Sequence, residues 1–525
     1  MLGNLLAIGT PFIPSYQELR PFAPELWLIG GIVAVLLAPL MLRKTNLASA
    51  GIALIAMALA LLSVLTAGDS VGSSFRGMLL VDHVSIYWKT ILLIFTIGII
   101  LMWLSSLMHT MHEGDAPEYF TLLLTATLGM CLMSSTANLL MLVIAVETAS
   151  LPSYVLAGFR KTHRLGAEAS LKYVLFGAAS SSFMIYGLSL LYGMFGTLQL
   201  DGPAGIAAGI ATTHQPLPLL IFAAASVIVG LGFKISVVPL HFWCPDVFEG
   251  AGIDVAAFLS VASKGAAILL LTRVCMIVAG ALGFAEGHVN LTGLAMVLGL
   301  IGAVTATVGN TAAFTQTNIK RLLAWSSIAH AGYIMCGISL LVSNHMQIVQ
   351  NGMNQPMQAI LVYLSVYLFM NLGAFTVAAL VFRATGSENL SAYAGLVRRS
   401  PFLALLMAVF MFSLVGMPPF AGFAAKVNLM WTLAENGGWW WALVGVIGMN
   451  TFISAYYYAR VVKAMYFEKG EDESPLRPQL GGVALAFACA LMLVIMFVGF
   501  SPFTHMAQRG SRMLAADKPP VVAGR

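Results

Sequence analysis

Long apolar runs recur along the whole of this 525-residue sequence, for example at residues 91–101 and 483–500. Runs approaching 20 residues are typical of transmembrane helices, because about 20 helical residues cross the hydrocarbon core of a bilayer. Only 9% of the residues are charged, whereas a soluble chain carries about 25%. The sequence therefore predicts an all-α polytopic membrane protein and excludes a soluble globule or a disordered chain.

The apolar runs divide into fourteen candidate spans with mostly short connections. Their predicted starts are near Pro24, Asn46, Val84, Glu118, Ala137, Ala169, Leu217, Ile253, Asn290, Leu322, Met357, Phe402, Trp439 and Gly481. No stretch between them is long and polar enough to predict a soluble domain.

The distribution of basic residues supports this count. The internal loops after even-numbered spans contain one basic residue, Arg76. The loops after odd-numbered spans contain Arg43, Lys44, Arg160, Lys161, Arg164, Lys320, Arg321, Arg383, Arg398, Arg399, Arg460, Lys463, Lys469 and Arg477. The positive-inside rule then places the odd-numbered loops in the cytoplasm and both termini outside. These loops account for the net charge of +5 without a nucleic-acid partner.

A few charged residues fall inside the predicted spans. They are Glu147, Lys172, Lys234, Lys264 and Lys426. One such charge at the centre of a bilayer costs about 2.5–3.5 kcal/mol on insertion scales. A set of this size is therefore expected to serve a function.

Other interpretations are open for individual residues. Lys172 lies closer to the start of its span and could extend its ammonium group to the cytoplasmic interface. Glu147 and Lys264 could belong to purely structural buried ion pairs. Lys89 and Arg273 lie nearer the ends of their spans and are predicted to be interfacial.

Two histidines are also candidates. His241 and His330 lie in segments rich in candidate functional residues. Each could take part in proton transfer or could be a buried histidine whose hydrogen bonds are satisfied by the core.

Proline and glycine accompany two of the lysines. Pro239 follows Lys234 by five residues, and Lys426 follows a Gly-Met-Pro-Pro segment that begins at Gly416. Proline breaks the helical hydrogen-bond ladder, and broken helices in corresponding positions of two halves are typical of the ion sites of transporters. Because the breaks are five spans apart, spans 4–8 and 9–13 are predicted to be two inverted repeats.

This interpretation divides the chain into four parts. Residues 1–115 would form three N-terminal helices, residues 116–285 the first repeat, residues 286–470 the second repeat, and residues 471–525 the last span with a tail.

Proton transfer is the chemistry that these residues favour. A lysine in a low-dielectric site loses its proton more readily than a lysine in water, and a nearby carboxylate opposes that loss. Glu147 and Lys234 are predicted to form such a pair. The sequence contains no recognisable haem, iron–sulfur or nucleotide-binding motif. The energy for pumping is therefore expected to come from a partner or an ion gradient.

Several strings resemble the antiporter-like membrane subunits of respiratory complex I. The strongest matches are NIKRLLAWSSIAHAGYIMCG at 318–337, FKISVVPLHFWCPDVFEGA at 233–251 and GMPPFAGFAAK at 416–426. ETASLPSYVLAGF, SLKYVLFGAASSS and AYYYARVVKAMYF also fit, so that the resemblance covers essentially all fourteen spans. The segments ETASLP and YYYARVV favour the branch of this family whose members lack a long lateral helix. The end of the sequence soon after span 14 favours the same branch.

The resemblance implies fourteen helices with two inverted five-helix repeats and discontinuous helices 7 and 12. It also implies residue roles. Glu147 matches a glutamate that modulates the lysine of span 7, here Lys234. Lys264 matches the central lysine of span 8, and Lys426 matches the lysine of the second broken helix.

Two further roles follow from the same resemblance, and one segment departs from it. Lys172 matches a lysine on span 6, and His330 lies inside a matching motif with a relay role. The family typically reads W-T-P-D-V-Y-E-G-A-P-T-P where this chain has WCPDVFEGAGID. The chain thereby loses two prolines and gains Asp254, which is expected to cap the helix of span 8.

The implied function is proton translocation by a membrane-arm subunit of a bacterial NADH–quinone oxidoreductase in the cell inner membrane. This chain would bind no cofactor. FMN, iron–sulfur clusters, NADH and quinone would belong to partner subunits. The expected partners are the other membrane and peripheral subunits of complex I and membrane lipid. Two alternatives are a subunit of a multisubunit cation/proton antiporter without redox partners and a structural scaffold.

Overall fold

The computed structural model describes residues 14–41, 45–66, 71–107, 112, 114–160, 163–202, 204–212, 215–284, 292–343, 354–470 and 474–512. Helices account for most of this part of the chain. A short hairpin precedes the third span and pairs Gly72–Ser74 with Leu79–Val81 in antiparallel register.

The first six spans are uninterrupted helices. They are Ala23–Met41, Thr45–Thr66, His83–Met102, Ala116–Ser135, Leu139–Ala157 and Arg164–Phe195. Span 7 consists of two half-helices, 7a at Leu217–Ile235 and 7b at Trp243–Gly250. Span 8 begins as Ile253–Phe258, passes through a π-helical turn at Leu259–Ser263 and continues as Lys264–Phe284.

The second half of the chain follows the same plan. Spans 9, 10 and 11 are Thr292–Ala312, Ile319–Ser343 and Gln355–Thr385. Span 12 consists of half-helices 12a at Pro401–Val415 and 12b at Ala421–Ala434, and spans 13 and 14 are Trp440–Phe467 and Leu480–Val498. Short helical segments are Tyr16–Leu19, Arg20–Phe22, Trp103–Leu107, Ile206–Thr212, Ala313–Thr315, Leu390–Tyr393, Leu396–Arg399 and Phe500–Gly510.

The prediction of fourteen spans is confirmed. In the described ranges, thirteen helices are long and apolar enough to cross a membrane, and half-helices 12a and 12b make up the other predicted span. The start of span 9 predicted near Asn290 lies outside the described residues, as do Arg43, Lys44 and Lys161. The boundaries predicted after residues 285 and 470 also border undescribed segments, and the division into four parts stays a prediction.

Spans 4, 8, 10 and 11 form the interior of the molecule, and spans 1, 2, 6, 9, 13 and 14 expose more of their apolar surface. Spans 9 and 10 pack backbone to backbone. A Cβ atom on Gly332 would lie 2.4 Å from the amide nitrogen of Ala306. Small residues at such contacts are characteristic of helix packing in membranes, where close approach gains van der Waals contact.

Matching local structure marks the two repeats. Asn138 precedes span 5, accepts backbone N–H groups from its first turn and pairs with Gln199 beyond span 6. Asn318 does the same for span 10 and pairs with Asn389 beyond span 11. Five spans separate the equivalent positions. An odd number of helices reverses the direction of the second repeat, as the sequence predicted.

The two breaks are also equivalent. Half-helix 7a ends at Ser236 with φ 67°, and half-helix 12a ends at Gly416 with φ 88°. In each case the backbone N–H of the next residue donates a hydrogen bond of 3.0 Å to the carbonyl five residues earlier in the chain. A left-handed residue of this kind terminates a helix, and the prolines that follow prevent its continuation.

Two charges predicted to be interfacial are buried instead. Lys89 lies 2.7 Å from Glu25 of span 1, and both side chains are almost completely buried. Arg273 contacts Asp82 at 2.9 Å and donates to the carbonyl of Ser134 at 2.7 Å. Each cation meets a carboxylate from a distant part of the chain, and the pairing offsets the cost of burial.

Asp254 does not cap span 8. Gly252 occupies the capping position, and no side chain accepts a hydrogen bond there. The buried carboxylate of Asp254 instead accepts a hydrogen bond of 2.6 Å from the Tyr119 hydroxyl of span 4. The residue therefore joins two interior spans.

Candidate functional site

Lys234 lies in the last turn of half-helix 7a, next to the break. Its Nζ is 5.3 Å from the ring centre of Tyr154 and 5.8 Å from that of Tyr173. Within the described part of the chain this buried Nζ has no hydrogen-bond partner. Aromatic faces attract a cation without accepting its proton. The surroundings therefore hold the ammonium group but leave its donors free.

Glu147 lies near the middle of span 5 and is half-buried. Its Oε1 also lacks a hydrogen-bond partner among the described residues. The pairing of Glu147 with Lys234 stays a prediction. Lys234 Nζ and Glu147 Oε1 are thus two buried polar atoms without direct partners among the described residues, which is uncommon in folded proteins.

Lys264 follows the π-helical turn of span 8 directly. Its buried Nζ donates to the Sγ of Cys244 in half-helix 7b at 3.4 Å and to the hydroxyl of Ser327 in span 10. The ring centre of Phe248 is 5.5 Å away. Lys264 therefore bridges the two repeats through neutral partners. A π-helical turn often occurs at functional sites because it re-aims a side chain.

His330 lies in span 10, one turn after Ser327. Its Nδ1 forms a hydrogen bond of 2.6 Å with the hydroxyl of Tyr363, and its Nε2 lies 3.4 Å from the hydroxyl of Tyr458. The hydrogen bonds fit a satisfied core histidine, and the position between two lysines also fits a relay.

Lys426 lies in half-helix 12b but contacts the end of half-helix 12a. Its Nζ donates to the carbonyls of Leu414 at 2.9 Å and Val415 at 2.8 Å. The ring centre of Tyr333 lies 5.1 Å from Nζ. The lysine thus satisfies carbonyls that the break leaves without helical partners, where the negative end of a helix dipole favours a cation.

One face of span 10 connects these groups. Ser327, His330 and Tyr333 follow one another at intervals of three residues, and residues at this spacing share a helix face. Ser327 contacts Lys264, and Tyr333 contacts Lys426. Sequence reasoning missed Ser327 and Tyr333. Their spacing from His330 is the signal that could have identified them.

Lys172 is not part of this group. Its side chain is 37% exposed, and its Nζ contacts Asp246 of half-helix 7b and Glu168 of its own span, both at 2.7 Å. Asp246 also contacts Arg321 of span 10 at 2.9 Å. The structure therefore places Lys172 in a partly exposed charge network and not among the buried lysines.

His241 lies in the break between half-helices 7a and 7b and is buried. Its ring centre is 5.5 Å from that of Trp325 in span 10, and its Nδ1 has no hydrogen-bond partner within the described ranges. Across those ranges, no group of three or more His, Cys, Asp or Glu side chains is placed to hold a metal ion.

A series of contacts connects the two repeats. Tyr173, beside Lys234, stacks on Trp243 of half-helix 7b with ring centres 4.3 Å apart. The next residue, Cys244, contacts Lys264, and span 10 continues the line towards Lys426. Such a series of ionisable and hydroxyl groups in a membrane interior can exchange protons.

The fold and the site define an antiporter-like membrane subunit. The family described as NADH:quinone oxidoreductase/Mrp antiporter, TM, matches residues 136–454, and the chain belongs to this family. It is 37% identical to NADH-quinone oxidoreductase subunit N of Anaeromyxobacter sp., over 95% of this chain and 98% of that protein. It is 36% identical to subunit N of Rhodospirillum rubrum, over 94% of this chain and 97% of that protein.

Solved structures show the same fold. A chain of respiratory complex I from Thermus thermophilus, solved with bound aureothin, is 31% identical with a TM-score of 0.74. That match covers 93% of this chain and all of the other. A chain of the Mrp complex from Dietzia sp. has a TM-score of 0.76 at 18% identity, with 95% and 97% covered. The latter likeness concerns the fold alone.

Proposed function

We propose that this chain is a proton-translocating membrane-arm subunit of an NADH–quinone oxidoreductase in the inner membrane of a bacterium. The observation that carries the proposal is the line of groups from Glu147 through Lys234 and Lys264 to Lys426, which passes both broken helices. The relatives named NADH-quinone oxidoreductase subunit N, matched over nearly their full length, support the redox-coupled assignment.

In this mechanism, Lys234 and Lys264 hold and release protons in turn. Glu147 stabilises the protonated form of Lys234 through its charge, so that a change in their separation changes the proton occupancy of Lys234. Ser327 and His330 pass protons between Lys264 and the second broken helix. The neutral partners of Lys264 favour exchange, because neither thiol nor hydroxyl fixes the ammonium form as a carboxylate would.

The break at Lys426 provides the far end of the relay. A protonated Lys426 binds the free carbonyls of half-helix 12a, and a neutral Lys426 binds them more weakly. Proton occupancy is thereby linked to the contact between half-helices 12a and 12b. Lys172 lies on the partly exposed side of this path.

The proposal assigns the redox chemistry to other subunits. NADH, FMN, iron–sulfur clusters and quinone would belong to those partners, and this chain would bind none of them. Other membrane and peripheral subunits and membrane lipid would surround it. The four parts predicted from the sequence would then be an N-terminal three-helix unit, two repeats and a terminal span.

The test is replacement of Lys234 by Met and of Glu147 by Gln in the intact complex. We expect assembly at the normal level, with NADH–quinone reductase activity and proton pumping both reduced at least several-fold. Activity is measured in membranes, and pumping is followed by the quenching of a pH-sensitive dye in sealed vesicles.

Lys463→Met is the matched control, because Lys463 is a lysine of span 13 whose side chain is 67% exposed. It should behave as the wild type. Normal pumping by an assembled Lys234→Met complex would contradict the relay. Isolation of the chain with cation/proton antiporter subunits and without flavin or iron–sulfur proteins would favour the antiporter instead.

A further inference from the structure

Half-helix 7b is a short element held between two sets of contacts. It has eight residues and is separated from half-helix 7a by an unwound segment and from span 8 by a bend at Ala251 and Gly252. A helix of two turns with free ends has little stability of its own. Its position must therefore be set by the side chains that contact it.

One face of half-helix 7b meets Lys264. Cys244 and Phe248 are four residues apart and both contact the Lys264 ammonium group, at 3.4 Å from Sγ and 5.5 Å from the ring centre. Both side chains are completely buried. A shift of this half-helix would directly change the surroundings of Lys264.

The other face meets charges from both repeats. Asp246 Oδ2 accepts a hydrogen bond of 2.7 Å from Lys172 of span 6, and its Oδ1 lies 2.9 Å from Arg321 of span 10. Glu249, three residues further on, contacts the same Arg321 at 2.5 Å. Asp246 thus connects three elements through one carboxylate, and Glu249 connects two.

We propose that Asp246 is a positioning residue for Lys264. Its carboxylate, held by Lys172 and Arg321, keeps half-helix 7b in place so that Cys244 and Phe248 stay against the ammonium group. Lys172 then acts on the relay through Asp246 and does not itself carry protons through the interior. The inference rests on the proposed function, since it names what sets the geometry of one relay lysine.

The accessibility of these groups supports a positioning role. Lys172, Arg321 and Asp246 each keep about a third of their side chains exposed, at 37%, 32% and 29%. Ion pairs with this exposure add little to the stability of a fold. Their replacement is therefore expected to change the position of a small element without preventing assembly.

The experiment compares Asp246→Asn, Lys172→Met and the double variant in the assembled complex. We expect each single variant to lower proton pumping several-fold and the double variant to be no worse than either, because both remove the same link. Asp246→Glu, which keeps the charge, should restore most of the pumping.

Cys244 provides a direct report on the half-helix. It is buried, so a small maleimide should label it slowly in the wild type. Labelling, read by peptide mass spectrometry, should rise several-fold in Asp246→Asn and Lys172→Met. A merely structural loss elsewhere in the complex would not expose this one thiol.

A matched control separates Asp246 from the other partner of Lys172. Glu168→Gln removes the partner of Lys172 that does not lie on half-helix 7b. It should pump and label as the wild type does. An equal effect of Glu168→Gln and Asp246→Asn would overturn the assignment.

The proposal also fails if Asp246→Asn pumps and labels normally, or if the Asp246 and Lys172 losses multiply in the double variant. If Asp246→Asn does not assemble, Lys172→Met carries the test alone, because it leaves the sequence of half-helix 7b unchanged. Normal pumping by Lys234→Met would instead contradict the proposed function, so the two failures are distinguishable.

Discussion

Glu147 and Ser327 occupy equivalent positions in the two repeats. Each lies nine residues after the asparagine that precedes its helix, Asn138 for span 5 and Asn318 for span 10. In the first repeat this position carries the carboxylate that is predicted to pair with Lys234. In the second it carries a hydroxyl bonded to Lys264. The same place thus carries a carboxylate in one repeat and, in the other, a hydroxyl that bonds to a relay lysine.

The hydroxyl of Ser327 should be needed for rapid exchange at Lys264. Ser327→Ala removes one of its two hydrogen-bond partners, and a hydrogen bond to a charged group contributes about 1.5–3 kcal/mol. We expect the pumping rate to fall about tenfold, which corresponds to about 1.4 kcal/mol in a barrier. Ser339→Ala is the control, because among the described residues the Ser339 hydroxyl in the same span bonds only to a carbonyl of its own helix. An equal loss in both variants would contradict a specific role for Ser327.

Two substitutions of Lys426 should distinguish a structural role of this residue from a proton-carrying role. Lys426→Arg keeps a cationic donor for the carbonyls of Leu414 and Val415, but arginine does not release a proton at physiological pH. Lys426→Met removes the donor as well. Both variants should lose pumping, and only the methionine variant should lower the thermal midpoint of the solubilised complex. Pumping by Lys426→Arg at the wild-type rate would show that Lys426 is only a cap.

Gly129 sets the distance between spans 4 and 5 near Glu147. A Cβ atom at Gly129 would lie 2.3 Å from the amide nitrogen of Ala149, so that Gly129→Ala must displace the backbone. We expect a destabilisation of about 1–3 kcal/mol and reduced pumping. Gly51→Ala is the control, because nothing lies within 4 Å of the added atom. The thermal midpoint and pumping of the two variants are compared, and identical behaviour would contradict this account.

The buried pair of Asp82 and Arg273 should contribute to assembly. Asp82→Ala leaves the guanidinium buried without its carboxylate, which costs about 3–5 kcal/mol, and removes the side chain that caps span 3. Asp82→Ser combined with Arg273→Met removes both charges and keeps a capping hydroxyl. We expect the double variant to assemble better than Asp82→Ala when both are quantified on native gels. The reverse order would show that the pairing is unimportant.

The secondary structure of single segments can be predicted from the sequence wherever the membrane requires a helix. Because hydrocarbon offers no hydrogen bonds to the backbone, each apolar run must form a helix. Pro239 and Gly416 accordingly mark the two breaks, and the charges of Glu147 and Lys234 identified the first candidate pair. The repeat of five spans followed from the spacing of the breaks alone.

Contacts between distant segments could not be obtained in this way. The positions of Lys89 and Arg273 within their own spans give no sign of Glu25 or Asp82. Lys172 matched a family lysine, but its proximity to Asp246 depends on how half-helix 7b packs. Ser327 is one serine among many until the fold places it beside Lys264.

By itself, the sequence determined the membrane class, the fourteen spans, the two breaks and the lysines that lie near them. The tertiary structure decided which of these charges are paired, which face neutral groups and which are partly exposed. The physical reason is that hydropathy and helix breaking are properties of a single segment. The energy of a buried charge depends instead on partners that folding brings from elsewhere in the chain.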